Sequence, residues 1–271
     1  MPCASPAPKP SSLDSVIIPP APRLAVSVAG QGSLVLFLHG IRGSRRNWAR
    51  QVDFFSSHFK AAAWDARGYG DSDDYEGALQ FDEHFTADVL RVADFFEASK
   101  MHLVGLSMGG RIARNFALRH PERLRSLVLA GTSPGFDALS GEDVKRFVAE
   151  RRVATPESVR RLLGSRAVAG AYESLLDSVQ RVHQDSFEKT LEASVAQDRA
   201  APIERIRVPT LVITGDEDKV YPPSLAQDIA RRIPGAQLKT LKGVGHLSNL
   251  EQPDEFNHAV LEFLIRQEKH Q

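Results

Sequence analysis

Short apolar runs alternate along this chain with stretches in which apolar residues return every three or four positions. The runs are Leu34-Val35-Leu36-Phe37-Leu38, Ala61-Ala62-Ala63-Trp64, residues 101–104, Leu127-Val128-Leu129 and Leu211-Val212-Ile213. Each has strand length and no in-out alternation, which predicts strands buried on both faces in a mostly parallel sheet flanked by helices. Helical spacing fills the gaps. Residues 86–98 place Val89, Val92, Ala93 and Phe96 on one face, and residues 224–233 begin with a serine cap after two prolines.

One stretch departs from this rhythm. Residues 134–208 hold no good strand but four helical patterns: Val144, Phe147 and Val148; Val159, Leu162 and Leu163; Tyr172, Leu175, Leu176 and Val179; Phe187, Leu191 and Val195. Thr155-Pro156 supplies a cap and a proline for a first helical turn. A helical insertion between two parallel strands leaves from their carboxyl ends, where such sheets bind ligands, so it is read as a cap over a site. Its removal leaves residues 24–133 and 209–271 as the α/β core. Seven of the 16 prolines fall in the first 22 residues, and residues 1–23 are expected to form a disordered extension.

Composition narrows the function classes. The 34 basic residues balance the 34 acidic ones, which gives no global footprint for nucleic acid or an anionic membrane. The single cysteine, Cys3, excludes an internal disulfide and a cysteine-ligated zinc site. No run has the length of a membrane span or the form of a signal peptide, and a cytoplasmic location is expected. Neither a cofactor nor a metal is called for.

The candidate chemistry centres on Gly105-Leu106-Ser107-Met108-Gly109, between the run at 101–104 and a helical stretch through Arg111-Ile112-Ala113-Arg114-Asn115-Phe116-Ala117. In that context the pentapeptide reads as a strained turn that presents a serine nucleophile. A serine hydroxyl needs an imidazole to take its proton and a carboxylate to orient the imidazole. Of the nine histidines, His39 and His246 stand in glycine-bounded turns after strand-like runs. His246 follows the serine, as the order serine, acid, histidine requires, and His39 is assigned to the oxyanion loop. The acid is expected in the loop after Leu211-Val212-Ile213, where Asp216, Glu217 and Asp218 are all available. Asp65, after an earlier strand, is read as structural, and Glu251 as an anchor for the histidine loop.

Together these residues resemble the α/β-hydrolase family over nearly the whole chain from about Leu24, most of all its 3-oxoadipate enol-lactonases and small esterases. The resemblance rests on His39-Gly40, Trp64-Asp65-Ala66-Arg67-Gly68-Tyr69-Gly70-Asp71-Ser72, Gly105 to Gly110, Gly215-x-x-Asp218 and the run from His246 to Pro253. It implies the α/β-hydrolase fold with a helical cap, Ser107 as nucleophile, Asp218 as acid, His246 as base, and the amides of Ile41 and Met108 as oxyanion donors. The implied substrate is a small carboxylic ester or enol-lactone. Carbon–carbon hydrolysis of a meta-cleavage product shares fold and triad, but those enzymes usually carry tryptophan where this chain has Leu247. Perhydrolysis and a hydrolase-derived receptor are the other readings.

Arg42, Trp48 and Leu247 are candidate substrate contacts. For Arg42, Arg45 and Arg46 the alternative is a solvated basic loop. Tyr172, Leu175 and Phe187 are assigned to the interior of the cap. Haloalkane dehalogenases and epoxide hydrolases are disfavoured because the elbow carries serine, and no phosphate-loop, dinucleotide or H-E-x-x-H zinc motif is present.

Overall fold

The computed structural model describes residues 14–153, 155–199 and 201–269; residues 1–13 of the expected extension lie outside them. One sheet contains β1 (Asp14–Ile18), β2 (Leu24–Ala29), β3 (Leu34–Leu38), β4 (Lys60–Trp64), β5 (Met101–Leu106), β6 (Leu124–Ala130), β7 (Thr210–Gly215) and β8 (Gln237–Leu241), in the spatial order β1-β2-β4-β3-β5-β6-β7-β8. β2 is antiparallel to β1 and β4, and the remaining pairs are parallel.

Order begins earlier than the proline content suggests. β1 pairs along its whole length with β2, Asp14 opposite Val28 and Ile18 opposite Leu24. Prolines 19, 20 and 22 fall just beyond it, and as an edge strand it needs a partner on one side only. β8, the other edge, carries four exposed residues out of five, which is why no apolar run marks it.

The helices are α1 (Ala49–Phe55), α2 (Phe81–Phe95), α3 (Met108–Arg119), α4 (Gly141–Arg152), α5 (Pro156–Arg160), α6 (Ala171–Gln180), α7 (Gln184–Gln197), α8 (Pro223–Arg232), α9 (Ser248–Glu251) and α10 (Pro253–Glu268). Alternate residues of β3 point to opposite faces. Leu34, Leu36 and Leu38 join Phe85, Val89, Ile112, Phe116 and Ile229 from α2, α3 and α8. Val35 and Phe37 join Val52, Phe55, Val260 and Phe263 from α1 and α10. Both faces of the sheet are therefore dry, as continuous apolar strands require.

Helices α4 to α7 all lie between β6 and β7, and the described residues of that stretch hold no strand. Thr155 caps α5, its hydroxyl accepting from the Ser158 amide at 3.1 Å. Phe136, Phe147, Phe187 and Leu191 form a separate buried cluster in the insertion. Ile41, from the loop after β3, and Val220, from the loop after β7, pack against it. The insertion thus rests on loops at the carboxyl ends of the strands. No helix among the described residues is long and apolar enough to cross a membrane.

Two buried histidines make stability depend on pH. His102 in β5 has Nδ1 2.7 Å from Ser126 Oγ and Nε2 2.9 Å from Glu268 Oε1. His39, after β3, accepts the Ala66 amide on Nε2 at 3.0 Å, so its proton is on Nδ1, which donates to the Gly40 carbonyl at 2.8 Å. Burial lowers both imidazoles below the ordinary 6.5, against the nearby carboxylates Asp65 and Glu268. Below 6.5 the unfolded chain takes up protons that the fold refuses. The stability these groups contribute is therefore complete above that pH and is lost as pH falls through the folded values. Urea unfolding should show a lower free energy at pH 5.5 than at 7.5, with a shallower slope in His102→Gln; equal slopes would remove His102 from the account.

Candidate active site

Ser107 closes the end of β5 and opens α3 with φ 57° and ψ −115°, a conformation that L-residues rarely adopt. Close packing makes the turn possible. A Cβ on Gly105 would lie 2.2 Å from the Gly109 carbonyl oxygen, and one on Gly109 would lie 2.2 Å from the Leu38 carbonyl oxygen. The Ser107 amide donates to Ala130 O at 2.9 Å, and Thr132 Oγ1 donates to Ser107 O at 2.8 Å. These bonds tie the elbow to the end of β6 and leave the serine hydroxyl out of its own turn.

Beyond β7 and β8, Asp218 and His246 meet. Asp218 Oδ2 accepts from His246 Nδ1 at 2.9 Å, while Oδ1 accepts from the amides of Val220 at 2.8 Å and Tyr221 at 3.0 Å. Both side chains are buried. The neighbouring Asp216 instead accepts the Gly243 amide at 2.6 Å, and Glu217 binds Ser165 in the insertion. Gly131, directly after β6, brings Ser107 and the pair to one edge: a Cβ there would stand 2.9 Å from His246 O and 3.5 Å from Asp218 Oδ2.

Glu251, wholly buried in α9, grips the histidine turn on both sides. Its Oε2 accepts from Gly245 at 2.8 Å and Gly164 at 2.6 Å, and its Oε1 accepts from Leu247 at 2.8 Å. Burial raises its carboxyl above the ordinary value, against the pull of those three amides. Glu251→Ala would leave two buried amides and the part-buried Gly164 amide unpaired and should lower the unfolding free energy by about 3 kcal/mol. A loss under about 1 kcal/mol in urea denaturation would show that the loop does not depend on this anchor.

The turn Gly40 to Gly43 is closed by a 2.9 Å bond from the Gly43 amide to Gly40 O, with Arg42 at φ 60°. Among the described residues neither the Ile41 amide nor the Met108 amide donates to a protein acceptor. Beside them lies a narrow cleft of about 20 Å³ bounded by Ile41, Trp48, Leu106, Leu175, Leu247 and Leu250. Leu106 and Leu247 are the chain neighbours of Ser107 and His246. Leu175 belongs to this wall rather than to the interior of the insertion alone, because α6 packs onto the 3₁₀ turn Arg45–Trp48.

The reading of Arg42 to Arg46 as a solvated basic loop fails for two of its three arginines. Arg45 is buried and ion-pairs with Asp65, which also accepts the Arg45 amide at 2.6 Å and the Asp71 amide at 2.9 Å. Asp65 is thus the post that holds two loops. Arg42 is buried over the Phe187 ring at 3.8 Å, its Nε donating to Arg151 O at 2.6 Å at the end of α4. As a substrate contact Arg42 is corrected: its fork is turned to the negative end of a helix instead of the cleft. Trp48 is stacked on Phe37 at 5.0 Å and lines the cleft.

A model of the alpha/beta hydrolase family matches residues 35–259. The chain belongs to the alpha/beta hydrolase family. The 2-hydroxy-6-oxononadienedioate/2-hydroxy-6-oxononatrienedioate hydrolase of Escherichia coli (strain K12 / DH10B) is 29% identical over 263 residues, 90% of this chain and 91% of its own. Among solved structures, a thermophilic esterase from Thermogutta terrifontis is similar with a TM-score of 0.79 and 29% identity, covering 94% of this chain and 99% of the esterase. The enol-lactonase from Burkholderia xenovorans LB400 has a TM-score of 0.79 and 25% identity, over 90% and 96%. The hydrolase fold and class are therefore those its residues suggest.

Three groups near the pair carry no sequence signal. Tyr221 stands edge-on to His246, ring centroids 5.6 Å apart, and Phe147 lies over Tyr221 at 6.5 Å. Arg151 lies over Phe147 at 4.8 Å. In the sequence Phe147 is one of several apolar positions in α4, and Arg151 reads as an ordinary cation near a helix end.

Proposed function

We propose that this hydrolase cleaves a small carboxylic ester or lactone through Ser107, His246 and Asp218. The observation that carries the reading is the buried 2.9 Å bond between His246 and Asp218 at the sheet edge where the strained Ser107 elbow lies. With its proton on Nδ1, held by Asp218, His246 keeps Nε2 free as a base. Ser107 Oγ attacks the carbonyl carbon while its proton passes to Nε2. The tetrahedral oxygen takes the Ile41 and Met108 amides, donors that no protein group uses. Nε2 then protonates the leaving oxygen, and water repeats the sequence on the acyl-enzyme. The insertion roofs the cleft, and its contacts to the histidine turn support this: the His246 amide donates to Leu162 O at 2.8 Å.

A turnover screen against short aryl esters, aliphatic lactones and enol-lactones tests the reading, with the Ser107→Ala protein as control. Serine-dependent turnover supports it, and its absence in a folded protein would sink it. Carbon–carbon hydrolysis is the second reading, favoured by the Escherichia coli relative. It predicts that a meta-cleavage product outruns every ester, and Leu247 beside His246 counts against it.

A further inference from the structure

The cleft beside the elbow is narrow and uncharged. It adjoins the candidate nucleophile: a Cβ on Gly40, in its wall, would lie 3.1 Å from Ser107 Cβ, and Leu106 and Leu247 are the chain neighbours of Ser107 and His246. A water molecule fills about 10–15 Å³ of such space, so a cleft of about 20 Å³ holds one group the size of a methyl. Among the described residues that line it there is no lysine, arginine, aspartate or glutamate. Its imidazole, His39, has both nitrogens bonded, and burial lowers it below the ordinary value. Asn47 is spent on the Ser44 amide at 3.0 Å and on Ser174 O at 3.1 Å, and Asn249 donates to Asn47 O at 3.0 Å. The Trp48 Nε1 donor has no acceptor among the described residues, but a neutral N–H does not balance a carboxylate taken out of water.

Of the apolar side chains in the wall, Leu175 alone comes from the insertion. Its helix is pinned on both sides of it. Ser174 O accepts from Asn47 Nδ2, and Ser178 Oγ lies 2.9 Å from Ser44 Oγ, so α6 meets the core just before and one turn after Leu175. Leu175 is itself buried and is not free to swing away. The remaining apolar walls belong to the elements that hold the proposed triad and oxyanion donors. Leu175 is the wall that can be changed without touching them.

We propose that Leu175 gauges the acyl group, so that the hydrolase prefers acyclic esters of acetic or propionic acid and excludes longer or ionised acyl chains. The proposal rests on the hydrolytic reading above for its reaction. With the carbonyl carbon at Ser107 and its oxygen at the Ile41 and Met108 amides, the acyl chain runs into the cleft past the Ile41 side chain. A chain longer than about two carbons beyond the carbonyl meets Leu175. A lactone ring is bulkier than this on its acyl side, and a carboxylate would be desolvated without a cation.

The test measures kcat/KM for p-nitrophenyl acetate, propionate, butyrate and hexanoate and for the p-nitrophenyl monoester of succinic acid, so that the leaving group is constant. The wild type should lose roughly 10-fold or more for each methylene beyond propionate, and the succinic monoester should fall below butyrate. Leu175→Ala takes three carbons out of the wall and should raise the ratio of hexanoate to acetate roughly 10- to 100-fold. Leu175→Val, the milder enlargement if alanine does not fold, should raise butyrate, and Leu175→Phe should reject propionate. Leu191→Ala empties a buried position of the insertion away from the cleft and should leave the order of acyl chains unchanged. It separates a gauge from general loosening of the insertion. A wild-type optimum at butyrate or longer, or the same order of chains in every Leu175 variant, would overturn the gauge while leaving the hydrolase intact.

Calorimetric binding to Ser107→Ala protein separates the two ideas. Phenyl acetate should bind about tenfold more tightly than phenyl hexanoate, and Leu175→Ala in that background should remove the difference. If no ester shows serine-dependent turnover but this difference holds, the reaction is wrong and the gauge stands. Equal affinities, or no binding of phenyl acetate, overturn the gauge.

Discussion

Ser107→Ala should fold normally and hydrolyse esters about 10⁶-fold more slowly than the wild type. The elbow does not use the serine hydroxyl: its amide donates to Ala130 O, and its carbonyl accepts from Thr132 and the Arg111 amide. Alanine keeps all three bonds and the same backbone angles, so stability should be nearly unchanged. What disappears is the atom proposed to attack. Under the proposed mechanism the remaining rate comes from the oxyanion donors and from substrate positioning, and it stays above the rate in water. The measurement is kcat on the best ester of the screen, paired with intact mass after treatment with a fluorophosphonate. The wild type should gain one adduct at Ser107 and the alanine variant none. Activity within tenfold of the wild type, or labelling of another residue, would move the nucleophile elsewhere.

Asp218→Asn should cost up to about 10⁴-fold in kcat with little loss of stability. The two oxygens of Asp218 have different partners, and this settles how asparagine would sit. Oδ1 accepts two backbone amides, from Val220 and Tyr221, and only a carbonyl oxygen can replace it there. The asparagine NH2 must then face His246 Nδ1, where the carboxylate now accepts at 2.9 Å. A donor on that side forces the imidazole to carry its proton on Nε2. The base is then blocked, although nothing has moved. Asp216→Asn is the matched control, since Asp216 serves the Gly243 amide and does not touch His246. A loss confined to Asp218→Asn, with a rate that rises towards alkaline pH, is the expected signature. Equal losses at both positions would mean that the loop, and not the tautomer, is at fault.

Some of this architecture is written in consecutive residues. β3, β4, β5, β6 and β7 all contain the apolar runs that announce them, because a strand buried on both faces has no polar positions. β1 and β8 were hidden because an edge strand is half exposed and needs fewer apolar residues. The elbow was legible for a related reason: its strain demands glycines at fixed offsets from Ser107, and those offsets are sequence. Three carboxylates stood in the loop after β7, and residue type alone did not rank them; Asp218 came from the family's spacing.

By itself, then, the sequence determined a doubly covered parallel sheet, a helical insertion after β6, and serine, acid and histidine candidates in order. Tertiary structure alone decided that Asp218 meets His246 while Asp216 holds a turn, and that Glu251 clamps that turn. It also decided that Arg45 is spent on Asp65 and Arg42 on the end of α4. The division has a physical cause. Backbone conformation and burial periodicity are set by neighbours within a few positions, whereas a side chain's partner lies tens or hundreds of residues away and is chosen only when the layers pack.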